Sequence, residues 1–95
     1  MATAAPLAPP PTADADIIGF AHINVTVAAG TTITWTNRDN APHTVTAGSP
    51  GNVTGAFDSG VFGIGGAYSL LFDTPGQFAY YCTVHPFMQA IVTVQ

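Results

Sequence analysis

The sequence predicts an all-β fold, a two-sheet sandwich of seven to eight short strands, and three observations carry that expectation. Short β-rich runs recur between turn signals, and one of them, Thr31 to Thr36, alternates apolar and polar side chains with a period of two. No stretch joins a helix cap to a 3.6-residue period. The chain has 95 residues, 47% of them hydrophobic and only 6% charged, which suits one packed domain and argues against disorder.

The elements follow in order. Residues 1–14, MATAAPLAPPPTAD, are Ala/Pro-rich and aperiodic, so they read as a flexible extended spacer before a domain at 15–95. Such a spacer fits a chain from which an export signal or lipid anchor has been removed, and equally a frayed terminus. Ile17 to Phe20 and Ile23 to Val27 are short strands, and Ala29-Gly30 turns the chain into Thr31 to Thr36, where Ile33 and Trp35 face inward. His43 to Thr46 is a further strand entered through Asn40-Ala41-Pro42. Residues 48–66 hold most of the glycines and read as a long irregular crossing. Tyr68 to Phe72 and Gln77 to Cys82 flank Asp73-Thr74-Pro75-Gly76, where Pro-Gly favours a type II turn. Ala90 to Val94 closes the chain.

Charge excludes several functions. Arg38 is the sole cation against five aspartates, a formal charge of −4, which leaves little to attract nucleic acid or anionic lipid. No apolar run reaches the roughly 20 residues of a membrane-spanning helix, and membrane insertion by this chain is not expected. Cys82 is the only cysteine, which rules out an internal disulfide.

The most specific chemistry lies in P-H at one place and C-T-V-H-P-F-M at another. Cys82, His85 and Met88 occupy one loop, and His43 follows Pro42 on a distant strand. A thiolate, two imidazoles and a thioether compose the trigonal His₂Cys site with a weak axial Met that binds one type 1 copper ion. Zinc sites draw on Cys, His and carboxylates, so the thioether speaks against zinc. Cys82 alone would be buried core, His43 a turn histidine and Met88 core filler; their conjunction and spacing favour the metal. C-T-V-H lacks the second cysteine of a haem-attachment motif. A Cys82/His85 nucleophile pair would need an orienting group, and every acid is far from that loop in sequence. The sequons at Asn24 and Asn52 carry meaning only in a eukaryotic secretory route. His22, among apolar strand residues, reads as structural.

The stretches AAGTTITWTNRDNAPHTV and TPGQFAYYCTVHPFMQAIVTV resemble the cupredoxin family, nearest its plastocyanin and amicyanin branch, over most of residues 17–95. The short spacing from His85 to Met88 is similar to amicyanin. The resemblance implies an eight-stranded Greek-key sandwich with copper near one end, the ligands His43, Cys82, His85 and Met88, and a blue-copper carrier passing electrons between a redox donor and acceptor, not an enzyme. Copper storage or delivery on the same fold is the alternative, and a metal-free adhesive sandwich would follow only if the ligands failed to converge. It further implies a monomer in a periplasmic or other extracytoplasmic space, tethered through the N-terminal segment, whose partner proteins dock near His85, Pro86 and Phe87, with Pro42 beside them.

Further residues near these motifs carry expectations of their own. The Thr44 N–H occupies the position that donates to the cysteine sulfur. Thr44 replaces an Asn that commonly links the two ligand loops, which leaves Asn40 as a substitute for that link. Val84 stands where Pro is common, so its N–H is free to give the sulfur a second hydrogen bond. Tyr80 matches the tyrosine packed beneath the site, and Trp35 is core.

Overall fold

The computed structural model describes residues 10–95, so most of the Ala/Pro-rich segment lies outside the described residues. The strands are β1 (Thr12–Asp14), β2 (Val25–Val27), β3 (Thr31–Thr36), β4 (Thr46–Ser49), β5 (Asn52–Asp58), β6 (Ala67–Phe72), β7 (Gly76–Tyr81) and β8 (Gln89–Val94). They form two sheets, one ordered β1-β3-β6 and the other β2-β8-β7-β4-β5. The chain changes sheet between β1 and β2, β2 and β3, β3 and β4, β5 and β6, and β6 and β7, as a Greek-key sandwich requires.

Alternation places the core where the sequence expected it. In β3, Thr31, Ile33 and Trp35 are buried while the intervening threonines are half-buried. In β8, Ala90, Val92 and Val94 face the same core. Trp35 and Tyr80 fill the space between the sheets with their rings edge to face, 5.5 Å between centroids. Such an aromatic pair is worth about 0.5–1.5 kcal/mol beyond its buried area.

Four segments depart from expectation. Residues 12–14 are β1, parallel to β3 and continued by the Ala15 N–H to the Thr34 carbonyl, so the sandwich begins before residue 15. Backbone pairing needs no apolar pattern, and the Pro-rich composition hid it. Of the expected strand from Ile17 to Phe20, only Ile17 forms a bridge, to Asn37. Gly19 and Phe20 sit at φ +68° and +55°, a left-handed turn that breaks the ladder. The ladder expected from His43 starts instead at Thr46, because the backbone of His43 pairs with Phe62 and that of Val45 with Ser59. Within the supposed irregular crossing, Asn52–Asp58 forms β5, an edge strand whose one buried residue is Phe57.

Gly48 makes the β4–β5 hairpin possible. The register slips between Thr46 and Gly48, Gly48 has φ +117°, and a Cβ there would lie within 2.3 Å of the Asn52 carbonyl oxygen. Only glycine allows so close an approach. The Pro75-Gly76 junction enters β7 directly: Gly76, at φ +148°, is already paired with Val94.

Candidate metal centre

At one end of the sandwich the β7–β8 connection closes on itself through its backbone. The Cys82 N–H donates to the Met88 carbonyl at 3.0 Å and the Met88 N–H donates to the His85 carbonyl at 2.9 Å. Pro86 sits in the tight turn between them, where its fixed φ suits the bend. The loop presents the Cys82 and His85 side chains together and buries Met88, 2% exposed, in the core beside Cys82.

His43 arrives from the other ligand segment. Its N–H donates to the Phe62 carbonyl and its own carbonyl accepts from the Phe62 N–H. Asn37, fully buried, braces the approach by donating to the carbonyls of Ala41 and Phe62 and accepting the Asp39 N–H. The two imidazole Nδ1 atoms lie 3.2 Å apart, and each is 3.8 Å from Cys82 Sγ.

That triangle fits a metal ion. A point equidistant from the three atoms lies about 2.1 Å from each, and imidazole and thiolate bonds to a first-row ion run about 2.0–2.3 Å. His43, Cys82 and His85 are the cluster among the described residues able to hold an ion. The donors, two imidazoles and one thiolate with a thioether residue on the same loop, are those that suit copper.

Asp39 settles which nitrogen of His43 faces the site. Its carboxylate lies 2.9 Å from His43 Nε2, so that nitrogen carries the proton and Nδ1 keeps its lone pair for a metal. The same carboxylate accepts the N–H groups of Gly19 and Phe20 at 2.8 and 2.9 Å. Burial pushes the Asp39 carboxyl up, but the Phe20 and Gly19 N–H groups and the His43 ring outweigh it and hold it below its ordinary value. A non-glycine residue in left-handed backbone costs on the order of 1 kcal/mol, and the Asp39 clamp holds Phe20 there. The result is a ring set edge-on against both imidazoles, with centroids 5.2 Å from His43 and 4.9 Å from His85.

Every acid is far from the 82–88 loop in sequence, and a Cys82/His85 nucleophile finds no orienting group there, yet one acid reaches the site through His43. It lies four residues before His43. What argues against the Cys82/His85 pair is access to the thiol, because Cys82 is fully buried, and the acid orients His43 rather than His85. Asp39 and Phe20 were missed; the short spacing D-N-A-P-H was the one available signal for the first.

The sulfur has one amide donor, Thr44 N–H at 3.3 Å, as expected. Val84 does not supply the second: no hydrogen bond runs from its N–H to Sγ, and its side chain is 40% exposed. The neighbouring Thr83 N–H donates to Thr44 Oγ1 at 2.9 Å. That bond is also the link between ligand loops that the replacement of Asn by Thr44 had put in question. Asn40, the substitute considered, is exposed and takes no part.

His22 is structural. It is 9% exposed, its Nε2–H donates to the Thr44 carbonyl at 3.0 Å, its ring lies 4.8 Å from that of Tyr80, and its Nδ1 is buried without a partner. Burial lowers its pKa, the Thr44 carbonyl opposes that, and His43 adds to it. Tyr80, on the far side of that ring, donates its hydroxyl to the Ile23 carbonyl.

Comparison with known proteins agrees with this geometry. The model of a family described as copper binding proteins, plastocyanin/azurin family, matches residues 11–95. The chain is 37% identical over 76 residues to amicyanin-alpha of Methylorubrum extorquens, covering 80% of this chain and 64% of that one. It is 33% identical over 98 aligned positions to amicyanin of Paracoccus versutus, covering 87% of this chain and 67% of that one. It therefore spans only part of the length of these relatives. A solved structure, a purple cupredoxin from Nitrosopumilus maritimus, superposes with a TM-score of 0.72 at 36% identity, covering 76% of this chain and 77% of that one.

Proposed function

Because the chain belongs to the plastocyanin/azurin family of copper-binding proteins, we propose that it is a blue-copper electron-transfer protein, with His43, Cys82 and His85 holding one type 1 copper ion and Met88 as its weak axial ligand. The observation that carries this reading is the triangle of Nδ1, Nδ1 and Sγ, closed by backbone hydrogen bonds on both sides. A bound copper ion would supply a one-electron Cu(I)/Cu(II) couple, with sulfur favouring the reduced ion and imidazole serving both.

The chain's own part is to keep its donors still. Asp39 holds the His43 tautomer, Thr44 N–H donates to the thiolate, and the closed 82–88 loop fixes His85 and Met88. Donors fixed on two chain segments distant in sequence change little when one electron is added or removed, which suits a carrier. Electrons pass through His85, which is half-buried, while Phe87 beside it is 69% exposed and Pro42 and Pro86 are exposed. Redox partner proteins dock on this apolar surface, to which Phe20 adds its half-exposed ring. Arg38, the only cation, pairs with Asp16 at 3.2 Å and offers no charge for steering.

The reading includes a monomer in an extracytoplasmic space, periplasmic in a bacterium, with the Ala/Pro-rich segment ahead of β1 as tether. No helix among the described residues is long and apolar enough to cross a membrane. The test is anaerobic stopped-flow mixing of the copper-loaded, oxidised protein with a reduced c-type cytochrome, alongside chelator challenge. A carrier takes the electron rapidly and keeps its copper; slow reduction with ready loss of copper to the chelator would assign storage instead.

A further inference from the structure

Behind Cys82 a line of hydroxyl groups runs from the surface to the metal loop. Thr46 Oγ1 donates to Asp58 Oδ1 at 3.1 Å, Thr44 Oγ1 lies 2.9 Å from Thr46 Oγ1, and Thr83 approaches Thr44 Oγ1 with its N–H at 2.9 Å and its hydroxyl at 3.3 Å. Thr44 and Thr46 are buried, while Asp58 ends the edge strand β5 and is exposed. Each hydroxyl has one proton to give and a carboxylate has none. The direction of the whole chain follows from its outer end.

Thr46 spends its proton on Asp58, so in the next bond Thr44 must be the donor. Thr44 then has nothing left to give, so both groups of Thr83 donate to it. Every donor in the line points outward, toward the carboxylate, and each bond polarises the next. The chain ends on the peptide between Cys82 and Thr83, which leads into the loop that carries His85 and Met88.

We infer that Asp58 is a remote positioning residue for the metal loop, acting through Thr46 and Thr44 to hold the Thr83 N–H and with it the backbone of Cys82. A single acceptor on the surface strand fixes three hydroxyl protons and one amide. Thr44 thereby ties the two ligand segments together in place of an amide side chain, and it needs the Asp58 anchor to do so because a lone hydroxyl is free to rotate. The inference rests on the 82–88 loop being the metal loop. Its test is run first on metal-free protein, so that its failure and a failure of the copper reading are told apart.

The measurement is amide hydrogen exchange at Thr83, by NMR, in wild type and in Asp58→Ala, Asp58→Asn, Thr44→Val and the Asp58→Ala/Thr44→Val pair. Asp58→Ala should speed Thr83 exchange by about fivefold, the factor equivalent to one hydrogen bond of about 1 kcal/mol. The amides of Ile33 and Trp35 in β3 should stay at their wild-type rates, since they report global opening. Asn retains an acceptor oxygen, so Asp58→Asn should restore protection. With Thr44→Val already made, Asp58→Ala should add nothing, because the line is cut downstream of it.

In the copper-loaded protein the same ranking should appear as a broadened thiolate-to-copper signal in Asp58→Ala and a normal one in Asp58→Asn. An unchanged Thr83 rate in Asp58→Ala would overturn the inference. So would equal acceleration of the β3 amides, or an Asp58→Ala effect that persists beside Thr44→Val. Asp58 is exposed, so its replacement leaves the core packing intact, and the Asp58 arms stand even if Thr44→Val lowers the yield of folded protein.

Discussion

Replacing Asp39 by alanine removes three hydrogen bonds at once: those from Gly19 N–H, Phe20 N–H and His43 Nε2–H, at 2.8, 2.9 and 2.9 Å. The third matters for copper, because without it His43 is free to carry its proton on Nδ1, the atom that faces the site. Loss of a partner behind a metal-ligating histidine typically costs 10–100-fold in metal affinity, about 1.4–2.7 kcal/mol. Asp39→Ala should therefore weaken Cu(I) binding by about that factor. Asp39→Asn should be milder. With its oxygen turned toward Phe20 and His43, only the Gly19 bond is lost, and a fall of about fivefold is expected from one bond of about 1 kcal/mol. The assay is competition for Cu(I) against a coloured chelator of known affinity at neutral pH. An Asp39→Ala affinity equal to wild type, or an Asn variant as damaged as the Ala variant, would refute the role of the carboxylate in fixing the tautomer.

Electron exchange with a cytochrome should depend weakly on ionic strength and be slowed strongly by Phe87→Glu, since the docking surface is apolar; a steep salt dependence beside a silent Phe87→Glu would reject that surface. Met88→Gln should lower the reduction potential by giving Cu(II) a harder donor, and Met88→Leu should raise it, so voltammetric shifts of the same sign would remove Met88 from the axial position. His22 should make the copper-free protein less stable on acidification. Its folded pKa lies below the ordinary 6.5 because of burial, so below pH 6.5 the unfolded chain binds the extra proton first and stability falls with pH. The buried Nδ1 has no acceptor waiting for that proton. Urea unfolding across pH should show a shallower slope for His22→Phe than for wild type; parallel curves would contradict the assignment.

What the sequence made legible is what periodicity and spacing encode. β3 is legible to the residue because its inward Ile33 and Trp35 alternate with threonines, and the His43, Cys82 and His85 cluster is legible because two of its members share one short loop with Met88. β5 was not legible, since an edge strand with only Phe57 inward leaves no alternating pattern. Phe20 was misread as strand because its left-handed backbone depends on a carboxylate nineteen residues on. The second donor to sulfur was assigned to Val84 from the absence of proline. Whether an amide reaches the sulfur depends on how the preceding peptide turns, and here Thr44 Oγ1 captures the Thr83 N–H. The contacts missed join residues distant in sequence, through polar side chains whose partners no local pattern announces.

The central claim, one copper ion bound through a thiolate, is tested most directly by titrating the metal-free protein with Cu(II) while recording the visible spectrum. An intense blue thiolate-to-copper band should grow linearly to one equivalent, vanish on reduction, return on reoxidation, and be absent from Cys82→Ser. A wild-type protein that binds Cu(II) without the band, or a Cys82→Ser protein that shows it undiminished, would contradict the account.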